Sequence, residues 1–151
     1  MSFLRGRIRN GQMIVDVWML QPDVRDPGKH VGRRKFRGLI DTGANFSALY
    51  EDEISRIGLV SAGQRPVAGS DGSTGRVDPV YPVSLVLGFS SSGDGDIDDF
   101  RSTRIRMSPM RLKHPDFQLL VGMDVLERYR FCMTNGRFEL SAPTLQQSEQ
   151  A

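Results

Sequence analysis

The segment GLIDTGANFSAL, Gly38 to Leu49, places a carboxylate, Asp41, behind the apolar pair Leu39-Ile40 and before Thr42-Gly43. A carboxylate held at a strand end can give or take a proton, and glycine beside it lets backbone N–H groups approach closely. The same residues have a plainer use, because an Asp at a turn caps a following helix or closes the turn itself. Asp-Thr-Gly alone does not decide between these readings.

Other groups with chemical potential are weaker. Asp94, Asp96 and Asp98 alternate like the first ligands of a calcium loop. Asp99 stands where that loop needs glycine, however, and Ile105 where it needs a bidentate glutamate, so a solvated loop is expected and no metal. Gly69, Gly72 and Gly75 suggest a phosphate cradle, but no Gly-Lys-Ser/Thr follows and no helix signal begins there. His30 and His114 have no ligand spacing with Cys132, and the methionines at 107, 110, 123 and 133 read as core or interface filler.

The elements that must position Asp41 are mostly strands. Gln12 to Leu20 has the β-branched and aromatic character of a strand, and Pro22 to Lys35 reads as an exposed loop. A strand from about Phe36 to Ile40 follows and delivers Asp41. Tyr50 to Leu59 carries acids in its first turn, Ile54, Ile57 and Leu59 roughly on one side, and Gly58 near its end, which predicts one short helix. Tyr81 to Phe89 and Phe117 to Gly122 are candidate buried strands. Asn135-Gly136 between β-forming residues predicts a final hairpin, and the polar tail, 142–151, is expected to fray.

The chain has 151 residues, 38% hydrophobic and 25% charged, which suits one domain spanning 1–151 with its core at about 12–141. A formal charge of +2 excludes a nucleic-acid footprint, and the basic clusters Arg33-Arg34-Lys35 and Arg101 to Lys113 read as solvated faces, with a patch for an acidic partner as the other reading. The N-terminal arginines resemble a signal n-region, yet Asp16 breaks the apolar run after them, so no signal peptide and no membrane span is expected. One cysteine, Cys132, allows no internal disulfide and is read as a small apolar strand residue in a reduced, cytoplasmic protein.

Read together, the segments resemble the retropepsins, the single-domain retroviral-type aspartic peptidases, and particularly their cellular and bacterial forms. Leu39-Ile40-Asp41-Thr42-Gly43-Ala44 is similar to the family's active-site segment. Val67 to Val77 resembles its glycine-rich flap hairpin, with Gly69, Ser70, Asp71 and Gly72 as candidate substrate contacts. Phe117 to Phe131 resembles the later hydrophobic-Gly segment and its short helix, with Met123 where many retroviral enzymes carry arginine. The last hairpin resembles the region that helps assemble the dimer. The likeness runs from about Met13 to Leu140 in the family's order.

The resemblance implies an all-β, retropepsin-like acid-protease barrel half with one or two short helices, acting as a homodimer on peptide or protein substrates. No cofactor, metal, nucleic acid or membrane is implied. Peptide hydrolysis of this type uses two carboxylates and the chain carries one such motif, so a symmetric partner would supply the second Asp41. Two carboxylates about 3 Å apart share one proton, which makes one the base and its twin the acid. Thr42 would turn its hydroxyl across the dimer axis, Gly43 would offer its N–H to the carboxylate, and Ala44 closes the motif. Asn45 either hydrogen-bonds substrate main chain or satisfies the local turn. The other expectation consistent with the fold is a catalytically silent peptide-binding or dimerisation module.

Overall fold

In the computed structural model, alternation of buried and exposed side chains gives the strands that enclose the core. The described residues are 3–23, 25–26, 29–67, 75–88 and 102–141. β2 (Ile14–Pro22) buries Val15, Val17 and Met19 and turns Asp16 and Trp18 outward, and it pairs antiparallel with β3 (His30–Ile40). β7 (Tyr81–Leu87) pairs with β2 and with β8 (Thr103–Met110). β9 (Leu119–Val121) runs parallel to β3 and antiparallel to β4 (Ala48–Tyr50), and β4 pairs in parallel with β8. These six strands close in the order β2-β3-β9-β4-β8-β7, which leaves the barrel no open edge.

Two smaller sheets flank the barrel. β5 (Gln64–Val67) and β6 (Arg76–Pro79) are the antiparallel arms of a hairpin. β1 (Phe3–Arg7), β10 (Arg130–Thr134) and β11 (Arg137–Ser141) form a three-stranded antiparallel sheet in the order β1-β11-β10. Asn135, at a φ of 53°, and Gly136, at 69°, make the β10–β11 turn. Helix α1 (Glu51–Ile57) ends at Gly58, whose left-handed φ of 74° lets its N–H bond back to Ile54 and Ser55. The second helix, α2 (Met123–Leu126), is a single turn.

Leu49, Val83, Leu85, Leu87, Met107, Leu119, Val121 and Val125 fill the interior with almost no exposure. Gly38 lies where β3 presses on its neighbours. A Cβ there would stand 2.6 Å from Val17 Cγ2 and 3.0 Å from Val121 Cγ2, so glycine lets the strand carrying Asp41 pack tightly beside β9.

Several elements differ from the sequence reading. Pro22 to Lys35 is not all loop, because β3 begins at His30 and its first half ladders with Met19 to Pro22 while its side chains stay exposed. Backbone pairing, which the charged composition hides, makes it a strand. β1 was not anticipated, yet its Leu4 is buried in the core. The stretch from Arg101 to Lys113 does expose Arg104 and Arg106, but Thr103, Ile105 and Met107 alternate with them into the barrel. Cys132 is on a strand, as expected, and exposed rather than packed. Met107 is core, whereas Met123 and Met133 lie on the surface. The acidic run Asp94–Asp99 and the tail fall outside the described residues.

Candidate active site

The site is a loop stretched over the end of a strand. β9 lies between β3 and β4, so the chain leaving β3 at Ile40 must cross the end of β9 to reach β4. Residues 41–47 make that crossing. The Asp41 N–H donates to the Val121 carbonyl at 3.0 Å, which continues the β3–β9 ladder by one residue. The chain then turns, and Ala44 N–H donates to the Asp41 carbonyl at 3.2 Å.

Gly43 N–H donates to Asp41 Oδ1 at 2.9 Å and fixes the carboxylate relative to the turn. Asp41 is half-buried, while Thr42 and Gly43 are exposed. The carboxylate is therefore anchored by a backbone amide and open on one side. Ala44 is half-buried, and its carbonyl accepts from Met123 N–H at 2.8 Å; the Asn45 carbonyl accepts from Asp124 N–H at 3.2 Å. The first amides of α2, which have no intrahelical acceptor, hold the loop in place.

Below the loop is a constellation that local sequence patterns do not reveal. Ser47 is fully buried, and both its N–H and its Oγ–H donate to the Asp124 carboxylate, at 3.0 Å and 2.6 Å. Its Oγ accepts from Gly122 N–H at 3.0 Å. These bonds join the loop, β9 and α2 into one rigid unit. Ser47 and Asp124 are far apart in sequence, and only the meeting of β4 and α2 at the end of β9 shows the pair.

Gly122 is the tightest point. Its φ of −94° is open to any residue, so close approach is what demands glycine: a Cβ would lie 2.7 Å from the Phe46 carbonyl carbon and 2.9 Å from the Ala44 oxygen. Gly122→Ala is expected to cost at least about 2 kcal/mol, because backbone atoms cannot rotate away. Thermal unfolding would check this, and a melting temperature equal to wild type would refute it.

The hairpin is tied to the same region through Arg65. Its guanidinium lies over the Phe46 ring at 3.6 Å from the centroid and donates to Ser108 Oγ at 2.9 Å and to the Arg106 carbonyl at 3.2 Å. Burial lowers the Arg65 pKa, the Asp124 charge opposes that shift, and Arg106 adds to it. Gly69, Ser70, Asp71 and Gly72, the expected substrate contacts, lie outside the described residues, between β5 and β6. Among the described residues no cluster of side chains is suited to hold a metal ion.

A six-stranded barrel with an Asp-Thr-Gly turn across a central strand, and a hairpin rooted beside it, is a retropepsin-like fold. The chain is similar to the crystal structure of a retropepsin-like aspartic protease from Rickettsia conorii, with a TM-score of 0.52 and 15% identity over 92% of this chain and 90% of that one. At that identity the similarity shows the fold. No protein-family model matches the chain, and no curated protein matches it.

Proposed function

We propose that the protein is an aspartic endopeptidase whose site forms when two copies bring their Asp41 residues together. The observation that carries this reading is the state of Asp41: a carboxylate at the mouth of the barrel, held by the Gly43 amide and open on its other side. A lone carboxylate so placed has no second acid within its own motif. A two-fold axis beside the loop would supply one.

In that dimer the pair shares one proton. The ionised Asp41 takes a proton from a water molecule as its oxygen attacks the scissile carbonyl carbon, and the protonated Asp41 gives its proton to the carbonyl oxygen. The resulting tetrahedral diol collapses with proton transfer to the leaving nitrogen, and no covalent enzyme intermediate forms. Thr42, Gly43 and Ala44 hold the loop, and the β5–β6 hairpin covers an extended substrate as a flap, with Gly69, Ser70, Asp71 and Gly72 as the proposed substrate contacts. The reading places the enzyme in the cytoplasm, where the exposed Cys132 stays reduced. No helix among the described residues is long and apolar enough to cross a membrane.

The dimer is built through the open edge of β10. The terminal sheet has two edges, and β1 would set Arg5 and Arg7 against their own copies, whereas β10 offers Phe131, Cys132 and the exposed Met133. Met133→Asp is expected to raise the dimer dissociation constant by about tenfold or more through like-charge repulsion across the axis. Light scattering over a concentration series would show it, and an unchanged dimer would place the interface elsewhere.

The test of function is cleavage of a mixed peptide library by purified protein across acidic to neutral pH and over a range of protein concentrations. Specific activity should rise as dimer forms. A stable dimer that cuts nothing at any pH would refute the enzyme and leave a peptide-binding module.

A further inference from the structure

A second site lies away from Asp41, where β1 runs past the outer face of the barrel. A cleft of about 540 Å³ separates Arg5, Arg7 and Arg9 on one side from Ile14, Asp16 and Arg37 on the other. Its size is within the range that takes a ligand. Its charge is unbalanced. Asp16 is already paired with Lys35 at 3.2 Å, and Asp116, also in the lining, lies beside His114. Arg5 is paired with Glu139. The guanidinium groups of Arg7, Arg9 and Arg37 have no partner among the described residues.

Two features of β1 say what would satisfy them. The first is a like-charge pair. Arg7 stands directly across from Arg137 in the β1–β11 register, and the bond from Ile8 N–H to the Gly136 carbonyl makes Ile8–Gly136 a hydrogen-bonded pair. Arg7 and Arg137 therefore form a non-hydrogen-bonded pair, the closer kind, where two cations repel unless an anion sits near them. The second is the edge. β1 is the outer strand of its sheet, and the same alternation directs the Arg5 and Arg7 N–H and C=O away from β11; at Arg9 that side is already taken, because its N–H and C=O bond to Gln12, so the free edge is the stretch at Arg5 and Arg7. The arginines at 5, 7 and 9 recur with the period of a strand.

We propose that this cleft binds an extended acidic peptide segment, added as a strand along β1, with carboxylates at alternate positions facing Arg7, Arg9 and Arg37. A free phosphate could answer the charge but could not use the backbone edge. An added strand uses both, since its alternate side chains match the spacing of the arginines. Such a site would select or tether acidic proteins independently of any chemistry at Asp41.

The test is fluorescence anisotropy of a labelled peptide with glutamate at alternate positions, titrated with the full chain. Binding should weaken with added salt and should fall at least tenfold in Arg7→Glu/Arg37→Glu, with Arg7→Ala intermediate. A peptide of the same charge with prolines between its glutamates should bind about tenfold more weakly, because it cannot complete the ladder. Equal affinity for wild type and the double variant would overturn the site. Equal affinity for the proline peptide, or full competition by inorganic phosphate at equal charge concentration, would overturn strand addition. Loss of the dimer in the double variant, read by light scattering, would reassign the cleft to contact between copies and likewise overturn the proposal. Circular dichroism of each variant establishes that these exposed substitutions leave the fold intact.

Discussion

Asp41→Asn should abolish peptide cleavage, by at least about a thousandfold, while leaving the fold and the dimer intact. The size follows from what an amide cannot do: it neither accepts the proton from water nor shares one with a twin, and general acid–base catalysis is worth roughly 100- to 10,000-fold. The structure should survive because Asn keeps an oxygen where Gly43 N–H donates, and the Asp41 N–H bond to Val121 is main chain. A sharper form of the experiment mixes the variant with an equal amount of wild type and lets the subunits exchange. Random pairing puts about half of the wild-type chains in mixed dimers, so activity per wild-type chain should fall by about half. Undiminished activity in the mixture would mean that each chain works alone, and the two-carboxylate site would be wrong.

The parts of the fold written in local patterns were legible in the sequence. Acids in the first turn and Gly58 at the end announced α1, Asn135-Gly136 announced the last turn, and Leu39-Ile40 before Asp41 announced a strand that ends at the carboxylate. What stayed hidden depended on partners distant in sequence. The first half of β3 looks like a charged loop until β2 pairs with it, and the alternation of Thr103, Ile105 and Met107 with arginines was masked by the charge of the whole stretch. β1 is short, carries three arginines close together in its neighbourhood, and becomes a strand only because β11 returns beside it. At the site, the Asp-Thr-Gly turn could be read directly. Its support could not, because Ser47 and Asp124 are ordinary polar residues until β9 brings them together.

That support carries the second large effect. Asp124→Ala should destabilise the protein by about 3–5 kcal/mol, a large share of the 5–15 kcal/mol that holds a domain folded. The carboxylate is the acceptor for both Ser47 donors, and Ser47 has no exposure through which water could replace it. Each orphaned buried donor costs about 1–3 kcal/mol. The melting temperature should fall by roughly 10 °C. Asp124→Asn retains one acceptor oxygen and should lose less than half as much. Ser47→Ala removes the hydroxyl's bond to Asp124 Oδ1, leaves the backbone N–H bonded to both carboxylate oxygens and strips Gly122 N–H of its acceptor, so it damages the same network from the other side. The double variant should then be less destabilised than the sum of the two singles, a coupling that independent sites do not show. Because α2 also grips the Ala44 and Asn45 carbonyls, loosening it should slow cleavage even where the protein remains folded. Strict additivity in thermal unfolding, or an Asp124→Ala protein that melts with wild type, would mean that the Asp41 loop is held by something other than the bonds between buried Ser47 and half-buried Asp124.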